Sequence, residues 1–304
     1  MKKKYSEYKR RNTLFHYTNA KGLKGILKTN SLWATSYHCA NDLSEYSYTL
    51  EMIKSKMNEL DEPHNNQNLN TLLSLYSSQI PIENYINAIK VFDFAEYMST
   101  SFSYTKNRYS FEDGQLNQWR NYGDYAICFD KKRLEKSVDE FIREKVYIKS
   151  SRVIYGAMKN KRLLEYSKKY LEPFLKNYRN RLKIETSYID NLYKPTTKEI
   201  VDFLEMAAFT KNPHFSEENE YRIYVQSFLE DNQKSFIRNG LIVPYETLSV
   251  SVINCIDRII IGPSPRSDDR VRSVKALLKS CIEKHELKNI NIDVTASNIP
   301  FNRE

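Results

Sequence analysis

Residues 13–18, Thr-Leu-Phe-His-Tyr-Thr, alternate with period two and predict a strand, and Ala20, Leu23, Ile26 and Leu27 behind them form one helical stripe. Asn30-Ser31 ends that helix, and Leu32-Trp33-Ala34-Thr35 reads as extended. Helices are predicted over 42–60, 69–78 and 82–95, followed by extended segments over 97–103 and 124–129. In the middle third, Leu163, Tyr170, Leu171, Phe174, Tyr178 and Leu182 keep a helical stripe that Pro173 kinks or breaks, and a second helix runs near 196–209. Three strands are predicted next, at 220–228, 240–245 and 256–261. A helix over 268–283 turns Val271, Val274, Leu277, Leu278 and Cys281 inward, and 291–295 reads as a last strand. Strands scattered among helices without a regular βαβ rhythm indicate an α+β fold. No repeat and no Pro- or Ser-rich linker divides the chain. Residues 1–304 therefore read as one domain, with a basic arm at 1–12, an α+β core at 13–155 and 213–304, and a basic helical insertion at 156–212.

The chain has 304 residues, 40% of them hydrophobic and 13% aromatic, enough for a packed core and too aromatic for global disorder. No apolar run reaches the roughly 18–20 residues that span a bilayer, and no hydrophobic stretch follows the N-terminal charges. Four cysteines without CxxC spacing suit reduced thiols, so a cytoplasmic chain without a membrane partner is expected. The net charge is 47 − 38 = +9. Much of the excess is local, since residues 159–183 hold nine basic side chains against two acidic ones. That stretch is a candidate surface for nucleic-acid phosphates, or a solvated helix face.

Absent motifs exclude several chemistries. There is no GxGxxG, GxxxxGK[ST], GxSxG or HExxH, which disfavours Rossmann oxidoreductases, P-loop NTPases, serine hydrolases and zincins. The five histidines are dispersed, with no pair at i,i+4 spacing, so no metal site is expected. Three segments remain. In Phe15-His16-Tyr17-Thr18, alternation sends His16 and Thr18 to one face; His16 is a ligand-binding candidate or a histidine that bonds a neighbouring segment. In Ser99-Thr100-Ser101-Phe102-Ser103 the three serines share a face, lining a cleft or a wet edge. In Glu218-Asn219-Glu220-Tyr221-Arg222, an extended chain would put Glu218, Glu220 and Arg222 together, as a site for a cationic transition state or as a salt-bridge ladder.

Taken in order, Phe15-His16-Tyr17-Thr18, Leu32-Trp33, Asn41-Asp42 with Glu45, Ser101-Phe102-Ser103, the stretch Gln118-Trp119-Arg120-Asn121-Tyr122-Gly123, Ile127-Cys128-Phe129-Asp130 and Glu218-Asn219-Glu220-Tyr221-Arg222 resemble a bacterial domain family of unknown function, DUF2971. More distantly, His-Tyr-Thr on a first strand, a Ser-Thr-Ser strand and a Glu-x-Glu strand are similar to the ADP-ribosyltransferase-like fold. A His start accompanies a Tyr second motif in one subgroup of that fold, whereas Ser-Thr-Ser and Glu-x-Glu accompany an Arg start in another.

That resemblance implies a split β-sheet core holding NAD in a cleft. Cleavage of the nicotinamide–ribose bond passes through an oxocarbenium-like state that a carboxylate stabilises. The implied roles are Glu220 for that carboxylate, Glu218 for orienting the acceptor, and His16 for the adenosine ribose. Tyr17, Thr18, Ser99 and Ser101 would help hold NAD, with Tyr37 or Tyr122 stacking on nicotinamide and Trp119-Arg120 near the pyrophosphate, unless Trp119 is simply buried. The acceptor would be a protein or nucleic acid, with RNA binding by residues 159–183. By the same resemblance the chain is a toxin or antiviral-defence effector with an antitoxin or defence partner. The alternatives are a non-catalytic nucleic-acid-binding module, and a metal-independent nuclease using His16, Glu218 and Glu220.

Overall fold

The structure is a computed structural model of the chain. It describes residues 7–39, 44–61, 85–86, 97–105, 107–141, 147–157, 160–182, 195–226, 234–238 and 240–300. The helices expected at 69–78 and 82–95 lie outside these, apart from residues 85 and 86.

The chain opens with α1 (Glu7–Arg11), β1 (Thr13–Thr18), α2 (Ala20–Thr29), β2 (Leu32–Ser36) and α3 (Ser44–Asp61). Part of the expected N-terminal arm is thus helical, and the Thr13 hydroxyl ties it down by donating to the Lys9 carbonyl at 2.8 Å. Next come β3 (Tyr97–Ser103), α4 (Arg108–Asp113), α5 (Leu116–Tyr122), β4 (Tyr125–Asp130), α6 (Lys131–Phe141), β5 (Ile148–Arg152) and β6 (Ile154–Tyr155). The basic middle third holds α7 (Lys161–Tyr166), α8 (Glu172–Leu182) and α9 (Thr197–Ala208). The chain continues through β7 (Thr210–Lys211), β8 (Glu220–Gln226), β9 (Ser235–Arg238), β10 (Leu241–Leu248), α10 (Val252–Cys255), β11 (Ile256–Ile261), α11 (Ser267–Lys284) and β12 (Asp293–Ala296).

Local chemistry sets several boundaries. Asn19 caps α2 by accepting from the Gly22 amide at 2.9 Å, and Asn30 ends the helix in the left-handed region at φ 50°. Pro173 falls in the first turn of α8, directly after a π-helical turn at Ser167–Leu171. The expected kink is therefore a wide turn, which accommodates the amide that proline lacks.

Ten strands form one mixed sheet, antiparallel except for the β11–β12 pair. Strand β3 is its branch point. Along one edge β8 pairs with it over its full length, from Tyr97↔Gln226 to Ser103↔Glu220. Along the other edge it pairs with β2 through Thr35↔Ser99 and Ser36↔Met98, and with β1 through Phe15↔Ser103. The sheet thus forks into a β1-β4-β11-β12 branch and a β2-β10-β9 branch.

Both faces are covered. On one, Leu14, Phe102, Ile127, Phe129, Tyr221 and Ile223 pack in a single cluster with residues of α2, α6, α10 and α11. The opposite face carries two separate clusters. Phe15, Tyr17 and Cys128 meet Phe111 and Trp119, while Tyr224 meets α3, α7, α8 and α9 residues such as Ile53, Leu163, Leu175 and Phe203. The expected helical insertion thus contributes a layer on the sheet. Its basic side chains are partly answered from α9, since Arg162 pairs with Glu205 at 2.6 Å and Lys169 with Asp202 at 2.7 Å.

Gly123 joins α5 to β4 at φ 131°, and a Cβ there would lie 2.6 Å from the Thr18 carbonyl carbon and oxygen. Gly123→Ala should therefore cost about 1–3 kcal/mol in urea unfolding, through left-handed strain plus a backbone clash. Unchanged stability would show that the β1–α2 junction relaxes freely.

Candidate functional site

Between the two apolar clusters of the second face lies a buried ionic group. Arg222, on β8, uses all five guanidinium donors. It grips Glu45 of α3 in a fork with both contacts at 2.6 Å. It also reaches Glu220 through Nε at 2.6 Å and Nη2 at 2.9 Å, and the Ala208 carbonyl through Nη1 at 2.8 Å. Lys211 of β7 adds a second cation, with Nζ 2.8 Å from Glu218, 3.3 Å from Glu45 and 3.6 Å from Glu220. Three carboxylates face two cations, 2 − 3 = −1, so the group carries one excess negative charge.

Burial alone would raise the Glu220 carboxyl, but Arg222 and Lys211 beside it and a hydrogen bond from Ser101 hold it below the usual carboxylate range. Burial works against the Arg222 charge as well, and Glu220 and Glu45 overcome it, raising that group. Lys211 is raised for the same reason, against its own burial.

Glu218 is the exposed end of this group. The strand expected at 220–228 does begin at Glu220, but Glu218 is not extended with it: a 3₁₀ turn spans Pro213–Glu218, and Asn219 takes the left-handed conformation at φ 43° before β8. That turn aims Glu218 sideways. Its side chain is 23% exposed, held by Lys211 at 2.8 Å and by the Tyr122 hydroxyl at 3.4 Å. Beyond it opens a pocket of about 410 Å3, bordered by Gln118 and Asn121 of α5 and by His214, Phe215, Glu217 and Glu218 of the turn. Lys211 Nζ lies over the Phe215 ring, 4.8 Å from its centroid.

The structure separates His16 from this site. Phe15, Ser103 and Glu220 are cross-strand partners and share a face, so alternation sends His16 to the other side of the sheet. Its ring lies 5.6 Å from Phe102, and Nδ1 meets the Ser101 carbonyl at 2.9 Å, at the fork between the β1 and β2 ladders. Burial lowers the His16 imidazole below its ordinary value, outweighing the opposing pull of that carbonyl. His16 and Glu220 therefore do not border one cleft, and the trio His16, Glu218 and Glu220, on which a nuclease was also expected, does not converge.

Other expected residues divide. Tyr17 and Trp119 are buried against each other, ring centroids 4.8 Å apart, with Trp119 Nε1 donating to the Asp113 carbonyl at 3.1 Å. They build core rather than a ring for stacking on a ligand. Thr18 points to the His16 side, and Arg120 is exposed on α5. Ser99 and Ser101 share the Glu220 face, Ser101 bonding Glu220, and Tyr122 reaches Glu218. Glu45, Gln118 and Asn121 lay inside stretches that the resemblance quoted, without roles. Nothing in the local sequence singles out Lys211 or His214.

Fold and site together define an α+β protein on a mostly antiparallel sheet, with a buried ionic group opening on a polar pocket. A family model described as a protein of unknown function (DUF2971) matches residues 118–223, from α5 to β8. That interval holds Lys211, Glu218, Glu220 and Arg222, and it supports the family likeness read from the sequence. No curated protein and no solved structure matches the chain.

Arg222→Met should cost about 3–5 kcal/mol in urea unfolding, because Glu45 and Glu220 stay buried without their cation. Adding Glu45→Gln and Glu220→Gln should recover part of that loss. A cost below about 1 kcal/mol for the single change would mean water reaches the group. For His16 the folded value is depressed, so its stability contribution is complete above the unfolded value near 6.5 and is lost as pH falls below it. Between pH 7 and 5, wild type should lose more thermal stability than His16→Asn, and equal losses would contradict the lowered His16 imidazole.

Proposed function

We propose that the chain is an NAD-dependent ADP-ribosyltransferase-like enzyme whose site is the pocket beside Glu218. One observation carries the reading: a buried ionic group with an excess carboxylate reaches solvent only at its Glu218 end, where a polar pocket opens. Such a carboxylate, fixed from behind by Lys211 and from the side by Tyr122, suits an oxocarbenium ion because it need not reorganise as positive charge forms. The role expected of Glu220 passes to Glu218, and Glu220 becomes a positioning residue that holds Arg222 and Lys211. The pocket volume, about 410 Å3, is at the small end for ligand sites and fits the nicotinamide–ribose half of the dinucleotide.

In the reaction, the bond between ribose C1′ and the nicotinamide nitrogen breaks, and both electrons leave with neutral nicotinamide. An acceptor oxygen or nitrogen then bonds C1′, and its proton passes to His214 or Glu217. The carboxamides of Gln118 and Asn121 suit the nicotinamide amide and the ribose hydroxyls, and the Phe215 ring that lines the pocket suits the pyridine ring. The likeness to the ADP-ribosyltransferase-like fold supports the same activity through the Ser99–Ser101 strand and the Glu218-x-Glu220 motif, though not through His16, which lies on the other face of the sheet. A protein or nucleic-acid acceptor fits this chemistry equally.

Incubation with NAD labelled in its adenylate, in the presence of RNA, DNA or cell extract, should transfer label and release nicotinamide. Glu218→Gln should lower turnover about 10²–10³-fold without lowering thermal stability much. Full turnover in that variant, or no nicotinamide release from folded wild type, would overturn the assignment.

A further inference from the structure

A second cavity, of about 440 Å3, lies where β2 and β10 run out beside the C-terminal ends of α2 and α11. Its chemistry differs from that of the first. None of its lining side chains is acidic, Lys234 supplies an ammonium and His285 an imidazole, and Trp33 and Tyr245 supply larger aromatic rings. Trp33 stacks on Tyr245 with centroids 4.2 Å apart and planes at 25°, and Phe236 backs both rings at 5.3 and 5.8 Å. The three form a rigid aromatic wall rather than loose side chains.

The chain's two tryptophans make an informative contrast. Trp119 is buried, and its N–H is satisfied by a backbone carbonyl. Trp33 is only half-buried, and among the described residues its N–H has no protein acceptor. The Tyr245, Ser249 and Ser251 hydroxyls also lack protein partners among the described residues. Ser249 and Ser251 are exposed and Trp33 and Tyr245 half-buried, so solvent can meet these groups when the cavity is empty and a ligand's polar groups can replace that solvent beside the stacked rings.

At the α2 end, the carbonyl that would oppose an anion is already engaged, because Lys284 Nζ and His285 Nε2 both lie 3.1 Å from the Lys28 carbonyl. Lys234, whose ammonium donates to the Thr247 hydroxyl at 3.3 Å, is exposed at the rim. A flat ring, a hydroxyl-rich middle and a terminal anion meet this wall, its serines and its lysine in turn.

We infer that this cavity binds a nucleoside phosphate, with the base extending the Trp33–Tyr245 stack, the ribose against Ser249 and Ser251, and the phosphate on Lys234. The unit is a free nucleotide or one residue of a single strand, and the chemistry at the wall is the same for both. The inference does not depend on the Glu218 pocket.

Trp33 reports its own occupancy. Titration of the full chain with AMP should quench tryptophan fluorescence saturably, and Trp33→Phe should abolish the quenching. Lys234→Ala should weaken AMP about tenfold, the effect of losing one charge-assisted contact, and leave adenosine unchanged. A merely structural lysine would move both ligands together, and that result would overturn the phosphate assignment. Inorganic phosphate should compete with AMP without quenching. A hexanucleotide that binds more tightly than AMP, with affinity falling steeply with salt, identifies a strand as the source; equal binding identifies the free nucleotide. No saturable quenching by AMP or the hexanucleotide at millimolar concentration, or equal quenching in Trp33→Phe, would refute the site.

Discussion

The guanidinium of Arg222 must find five acceptors in a place with almost no water, and much of the architecture answers that demand. Its partners come from α3, from the end of α9 and from its own strand, so helices that are distant in sequence are pinned to one sheet position. Two carboxylates packed this closely would repel each other, and one cation alone would not balance the three acids nearby. Lys211 completes the balance as far as the geometry allows. The result is a stiff charged core between two apolar clusters, a costly arrangement that specifies one packing of helices on sheet.

From that constraint follows the character of the Glu218 pocket. A carboxylate at the mouth of a preorganised ionic group cannot swing away without unmaking the bond to Lys211, so its charge is held toward the cavity. The chemistry proposed there requires fixed negative charge beside a small polar space. Both come from how β8 is entered, through a 3₁₀ turn and one left-handed asparagine. The fork at β3 plays the other structural role. By splitting the edge between β1 and β2 it leaves the Ser101 carbonyl to be met by a side chain, and His16 is that side chain.

The two cavities divide the electrostatics of a basic chain. One is bordered by Glu217 and Glu218 and suits a developing cation; the other has an aromatic wall with Lys234 at its rim and suits an anion with a flat ring. The basic middle third adds less free positive field than its composition suggests, because acids on α9 engage some of its charges. Placement beside a partner, and not the count of lysines, decides what a charged residue offers to a ligand.

Much of the framework is legible in the sequence alone. Alternation from Thr13 to Thr18 and from Tyr97 to Ser103 marks two strands to the residue, the serine row does share a face with Glu220, and the Val274–Leu278–Cys281 stripe does turn inward. These are local signals, set by the period of a strand or helix. Short elements such as α4, α5, β5 and β9 escaped, having too few residues for a period to show. The site escaped for a different reason. Whether His16 and Glu220 meet depends on which residue of β1 faces which residue of β3, and a shift of one position reverses the side on which every side chain lies. Likewise Lys211 gains its importance only when β7 comes beside α3 and β8. Periodicity along a chain determines which residues share a surface, but only tertiary register decides which surfaces face each other, because that choice is made by packing energy summed over the whole sheet.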